Sequence, residues 1–193
     1  MNIPISREEA LELLKKYNQD ESDFVHFLES EAVMKHLARK LDENEEEWAM
    51  LGLMHDIDWG ITKENVSEHL SKAPEILRDA GFDEEFINTV ISHGFGFPLP
   101  GLEDKERTEN IEHALACSET ITGLIHAYAL MRGKKISDME VKGLKKKFKD
   151  KRFAEAVDRQ IIRECEKLGL ELDDFFELAI SAIKEIKDSV GLS

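Results

Sequence analysis

The sequence predicts an all-α protein. Apolar residues recur at helical spacing in nearly every segment, and no stretch alternates apolar with polar residues as a half-buried strand does. Turn residues are dense at one place only, "GFGFPLPGLED", with three glycines and two prolines in eleven residues. The chain has 193 residues, which suits one domain with a core large enough to need no disulfide or structural staple.

Each element has its own signal. In "SREEALELLKKY" Ser6 and Glu9 form a capping box, and Leu11, Leu14 and Tyr17 supply helical spacing. A second helix spans 21–41, with Ala32, Val33, Leu37 and Leu41 on its apolar face. A third spans 44–56 and is apolar nearly all round from Trp48 to Met54, so it should be the buried central helix. Helices over 66–80 and 83–93 end at glycines. After the Gly/Pro loop a long helix runs from about Glu106 to Met131. Turns and a short helix over 133–152 and helices near 155–168 and 172–189 complete the chain. The expected organisation is one domain over 1–193, with a core of roughly 20–130 and a C-terminal helical extension of 131–193.

Composition excludes several functions. The net charge of −15 would repel the phosphates of a nucleic-acid polymer. No apolar run reaches the roughly 20 residues that span a bilayer, and no secretory leader is visible. Two cysteines 48 residues apart, Cys117 and Cys165, form no CxxC pair, which suits a reducing, cytoplasmic setting. Charge is nevertheless uneven. Residues 133–152 hold nine Lys or Arg against three acids. That basic segment reads equally as an anion site or as a solvated partner surface.

The apolar third helix ends in His55-Asp56-Ile57-Asp58. His26 lies on the helix before it, His69 and His93 on later ones, and Glu119 within the long one. Helix bundles build metal sites from side chains that project inward on facing helices. Imidazoles with carboxylates suit iron, manganese or zinc. On the residues alone, a metal site and a chance pattern among seven histidines are equally good readings. Asp58 reads first as a helix-end residue and second as a group that orients a histidine, and His36, His113 and His126 read as structural. Phe95 and Phe97 in the Gly/Pro loop have two readings, stacking on a nucleobase or anchoring the loop.

The segments "HFLESEAVM", "MHDID", "EHLSKAPEIL", "VISHG" and "SETITGLIHAYAL" resemble, in that order, the HD-domain superfamily of metal-dependent phosphohydrolases. "MHDIDWGITKENVSEH" and "VKGLKKKFKDKRFA" look like a small HDIG-type subgroup. The resemblance covers roughly residues 20 to 185. It implies an HD-type helical bundle around a metal-binding central helix. It implies metal ligation by His26, His55 and Asp56, and by His69 and His93 as the two further histidines of binuclear members. Glu119 stands where the family places an Asp.

The implied cofactor is one or two divalent ions, iron or manganese ahead of zinc, nickel or magnesium. The implied reaction is hydrolysis of a nucleotide or other small phosphate ester, a dinucleoside polyphosphate being one option. Asp56 and Lys63 would serve catalysis, and Lys63, Lys145, Lys146 and Lys147 would hold substrate phosphate. Two rivals accompany that reading: a di-iron oxygenase of the same fold, and a non-catalytic binding or regulatory module in which the metal is structural.

Overall fold

The computed structural model describes residues 1–193, and its regular elements are all helical. Helix α1 (Arg7–Tyr17) starts at Ser6, which exchanges hydrogen bonds with Glu9 as a capping box does. Helix α2 (Glu21–Leu41) is followed by α3 (Glu45–Met54), whose first amides are held by the Asn44 side chain. Helix α4 is a single turn, Trp59–Thr62, and runs into a 3-10 segment, Lys63–Glu68. Helices α5 (Ala73–Asp79) and α6 (Glu84–Ser92) precede the Gly/Pro loop, and α7 (Asn110–Met131) follows it. Helix α8 (Val141–Lys149), α9 (Arg159–Ile162) with a 3-10 extension (Arg163–Leu168), and α10 (Leu172–Glu185) complete the fold.

Helix α2 is the spine, packed against α3, α7 and α10. As its composition predicts, α3 is buried, with Trp48 and every residue from Met50 to Met54 inside. Each such large apolar side chain contributes about 1.5–3 kcal/mol on leaving water. Gly52 lets α3 lie close on α2. A Cβ there would stand 2.5 Å from the Ser30 carbonyl oxygen, a separation no side chain tolerates. Past α3 the chain turns tightly. Buried Asn18, at the end of α1, ties that turn down by donating to the Ile57 carbonyl (2.9 Å) and accepting from the Gly60 amide (2.6 Å).

The structure departs from the periodicity in three places. The helix expected over 66–80 begins only at Ala73, so His69 sits in a turn where Asn65 is non-helical and Leu70 has φ +65°. The cause is distant in sequence: the Asp58 carboxylate accepts from the amides of Leu70, Lys72 and Ala73 and takes the place of a local cap on α5. The long helix begins at Asn110 rather than near Glu106, at a Glu109–Glu112 capping box. The helix expected near 155–168 is one α turn and a 3-10 segment.

Candidate metal centre

Five side chains from separate parts of the chain meet at the open end of the α2/α3/α7 packing. His26 comes from α2, His55 and Asp56 from the turn after α3, His69 from the turn before α5, and His93 from the end of α6. They form two groups with donor atoms within 4.8 Å of one another, His26–His55–Asp56 and Asp56–His69–His93. Asp56 is common to both. Its Oδ2 lies 3.5 Å from His55 Nε2 and 3.8 Å from His26 Nε2. Its Oδ1 lies 3.2 Å from the Nε2 atoms of both His69 and His93.

The outward nitrogens explain why the inward ones are available. His55 Nδ1 donates to the Gly52 carbonyl (2.8 Å) and His93 Nδ1 to the Val90 carbonyl (2.6 Å). His69 Nδ1 donates to Asp58 Oδ1 (3.2 Å). His26 Nδ1 lies 2.9 Å from the Thr122 hydroxyl, which gives its own proton to the Glu119 carbonyl (2.7 Å), so the imidazole is the donor there too. With Nδ1 the outward donor in all four rings, each ring turns an Nε2 lone pair inward when it is neutral. Two pairs of these nitrogens stand 3.0 Å (His26–His55) and 3.3 Å (His69–His93) apart. Lone pairs that close repel unless positive charge lies between them, and bonding the outer nitrogen is how proteins orient a ligating histidine. The donor set therefore fits divalent cations.

The electrostatics agree. Burial pushes the His55 imidazole down to about 3, so it stays neutral and free to ligate. Burial opposes ionisation of Asp56, but His55, His69 and His93 outweigh it and hold the carboxyl well below its usual range. Burial also works against charge on His69, yet Asp56 and Asp58 overcome it and raise the imidazole to about 10. A centre that draws a proton so strongly is one built for positive charge.

Glu119 lies beside this cluster rather than inside either triad, with Oε2 3.9 Å from His26 Nε2 and its other oxygen bonded to the Thr120 hydroxyl. Burial raises its carboxyl above the usual value. The Asp56–His69–His93 triad lines a cavity of about 450 Å³ whose wall also includes Glu119, Val66, Phe97 and Leu99; of the other triad only Asp56 reaches it. Larger cavities of about 610 Å³ lie elsewhere, but neither contains a ligating cluster, so the chemistry selects the smaller one.

The structure does not bring the expected lysines to this cavity. The Lys63 ammonium is paired with Asp20 and Asp23, and Lys145 with Asp173. Lys147 lies over the Phe153 ring, and Lys146 shares the same helix, α8, which packs on α7 and α10. His36, His113 and His126 pair with Glu185, Glu164 and Glu29, away from the cluster. Phe97 lines the cavity and is partly exposed, whereas Phe95 packs against the core under Lys105.

Two further residues support the cluster, and only the second escaped the sequence reading. Asp58 is fully buried and holds both His69 and the start of α5. Arg107 reaches from the segment before α7 to the carbonyls of Ser92, His93 and Phe95, while its other nitrogens are locked to Glu164 at 2.6 and 2.7 Å. It thus ties the end of α6, with His93, to the C-terminal extension. "HDID" hints at Asp58 as a partner of the histidines; nothing local marks Arg107.

A family model described as HD domain matches residues 23–122, more than half of the chain. The chain belongs to the HD domain family. No curated protein and no solved structure matches it. The match takes in all five residues of the HD cluster and Glu119, and stops within α7. No helix is long and apolar enough to cross a membrane.

Proposed function

We propose that this HD domain protein is a metal-dependent phosphohydrolase acting on a small phosphate ester. The observation that carries this reading is the position of Asp56 between two histidine pairs, each facing one of its oxygens. His26, His55 and Asp56 would hold one divalent cation, with Glu119 beside it; His69, His93 and Asp56 would hold a second. Imidazole-rich sites with carboxylates suit iron or manganese. When bound, such ions supply Lewis-acid polarisation of a phosphoryl oxygen and acidify water.

The residues of this chain do the rest. Neutral His55, fully buried, fixes the geometry from the protein side. Asp56 brings a negative charge that both cation positions share. The apolar wall of Val66, Phe97 and Leu99 would shed its water once a substrate covers it, which would strengthen the charge interactions in the cavity.

The decisive experiment is elemental analysis of purified protein beside a phosphatase screen with manganese, iron, nickel, zinc and magnesium. Metal near two equivalents and phosphate release that disappears in Asp56→Asn support the reading. A metal-replete sample that consumes oxygen, or that binds a phosphorylated ligand without ever turning it over, refutes it.

A further inference from the structure

The wall of the cavity is chemically one-sided. No lysine or arginine lines it. The nearest expected cation, Lys63, is tied to two aspartates and lies outside the wall. Beside the ligating residues stand Glu119, Ser67 and an apolar group formed by Val66, Phe97, Pro98 and Leu99. Two of these are out of place on a protein surface. Val66 is 55% exposed and Phe97 38% exposed, two of only five large apolar side chains the protein leaves in water. They come from different segments, the 3-10 turn before His69 and the Gly/Pro loop after His93, yet both border the same cavity. Exposed apolar side chains gathered at a concave site mark a surface that a ligand covers.

We infer that the metal cavity takes esters carrying a single phosphoryl group on an apolar or aromatic body, and disfavours chains of phosphates or bodies with further negative charge. This rests on the phosphohydrolase reading for the reaction, though not for the ligand. One phosphoryl group placed against the Asp56 cluster would have its charge met there. A second anionic group would lie against Glu119 and an apolar wall with no cation to receive it, on a protein of net charge −15. An aromatic body would instead cover Phe97 and Val66 and leave water with them. The chemistry of the wall thus points away from nucleoside polyphosphates and dinucleoside polyphosphates, and toward monophosphate esters of apolar alcohols.

Non-hydrolysable phosphonates test the ligand class without requiring turnover. Calorimetry on the manganese-loaded chain compares 3-phenylpropylphosphonate, propylphosphonate and 3-phosphonopropionate. The first should bind on the order of tenfold tighter than the second, as burial of a phenyl ring implies. The third, which adds a carboxylate, should bind weakest. Phe97→Ala and Val66→Ser should each shrink the advantage of the phenyl group; both positions are partly or largely solvent-exposed, so the variants keep their fold. Equal affinity for the first two ligands, or tightest binding of 3-phosphonopropionate, overturns the inference. Hydrolysis of 3-phenylpropyl phosphate is measured separately. Discrimination among phosphonates without hydrolysis upholds the ligand class and removes the reaction; hydrolysis without discrimination does the opposite.

Discussion

Replacing Asp58 by asparagine changes one oxygen into an NH2 group and should disable half of the metal centre. The carboxylate is fully buried and uses both oxygens. Oδ1 accepts from His69 Nδ1 and the Leu70 amide, and Oδ2 from the Lys72 and Ala73 amides. An amide has one accepting oxygen, so its NH2 must face one of these donor pairs. Facing Lys72 and Ala73, it uncaps α5. Facing His69, it pushes the imidazole into the other tautomer, with the proton on Nε2 where the lone pair is needed.

The first orientation leaves two amide donors unmatched and the second leaves the Leu70 amide, at about 1–3 kcal/mol each, so Asp58→Asn should cost about 1–6 kcal/mol of stability. Loss of such a histidine support typically weakens metal binding by about 10–100-fold. That loss should fall on the His69–His93 half alone, because His26 and His55 are oriented by Thr122 and Gly52 instead. Competition against a chromophoric chelator should resolve two classes of site in wild type and one weakened class in the variant. Urea unfolding gives the stability. Two unchanged metal affinities in Asp58→Asn would refute the reasoning, whatever the stability.

Asp56→Ala should abolish binding in both halves, while His55→Ala should spare the His69–His93 half; elemental analysis of the two folded variants checks the difference. Gly52→Ala should destabilise by about 1–3 kcal/mol, since its Cβ would stand 2.5 Å from the Ser30 carbonyl, and thermal unfolding measures it. Glu164 gives a pH dependence: burial works against its charge, but Arg107 and His113 prevail and lower its carboxyl below the ordinary 4.5. A depressed carboxyl stabilises the fold above the unfolded value, and that contribution disappears as pH falls from about 4.5 through the folded value. Glu164→Gln, which breaks a partly buried pair, should cost about 1–3 kcal/mol at pH 7 and flatten the acid limb of the stability profile; an unchanged limb in denaturant titrations at successive pH values would count against the ion pair.

Helical class, the boundaries of α1 and α2, and the start and burial of α3 were legible from the sequence alone; α3 ends at Met54, two residues before the expected end. They depend on local propensity and on periodicity, and both are written in consecutive residues. The HD cluster was legible in part. His55 and Asp56 stand out because polar groups that close an apolar helix need a partner, whereas His26, His69 and His93 were legible only through the family resemblance, and packing is what aims their Nε2 atoms at one carboxylate.

What tertiary structure alone decided came from contacts distant in sequence. His69 left its predicted helix because Asp58, eleven residues earlier, caps α5 in place of a local residue. The end of α6 is anchored by Arg107 and Glu164, the latter beyond the matched domain. The lysine-rich run, conspicuous as local charge, lies away from the cavity because α8 uses its apolar face to pack on α7 and α10. Charge density along a chain is a one-dimensional property, but the direction in which a charge points depends on which face of its helix the core takes.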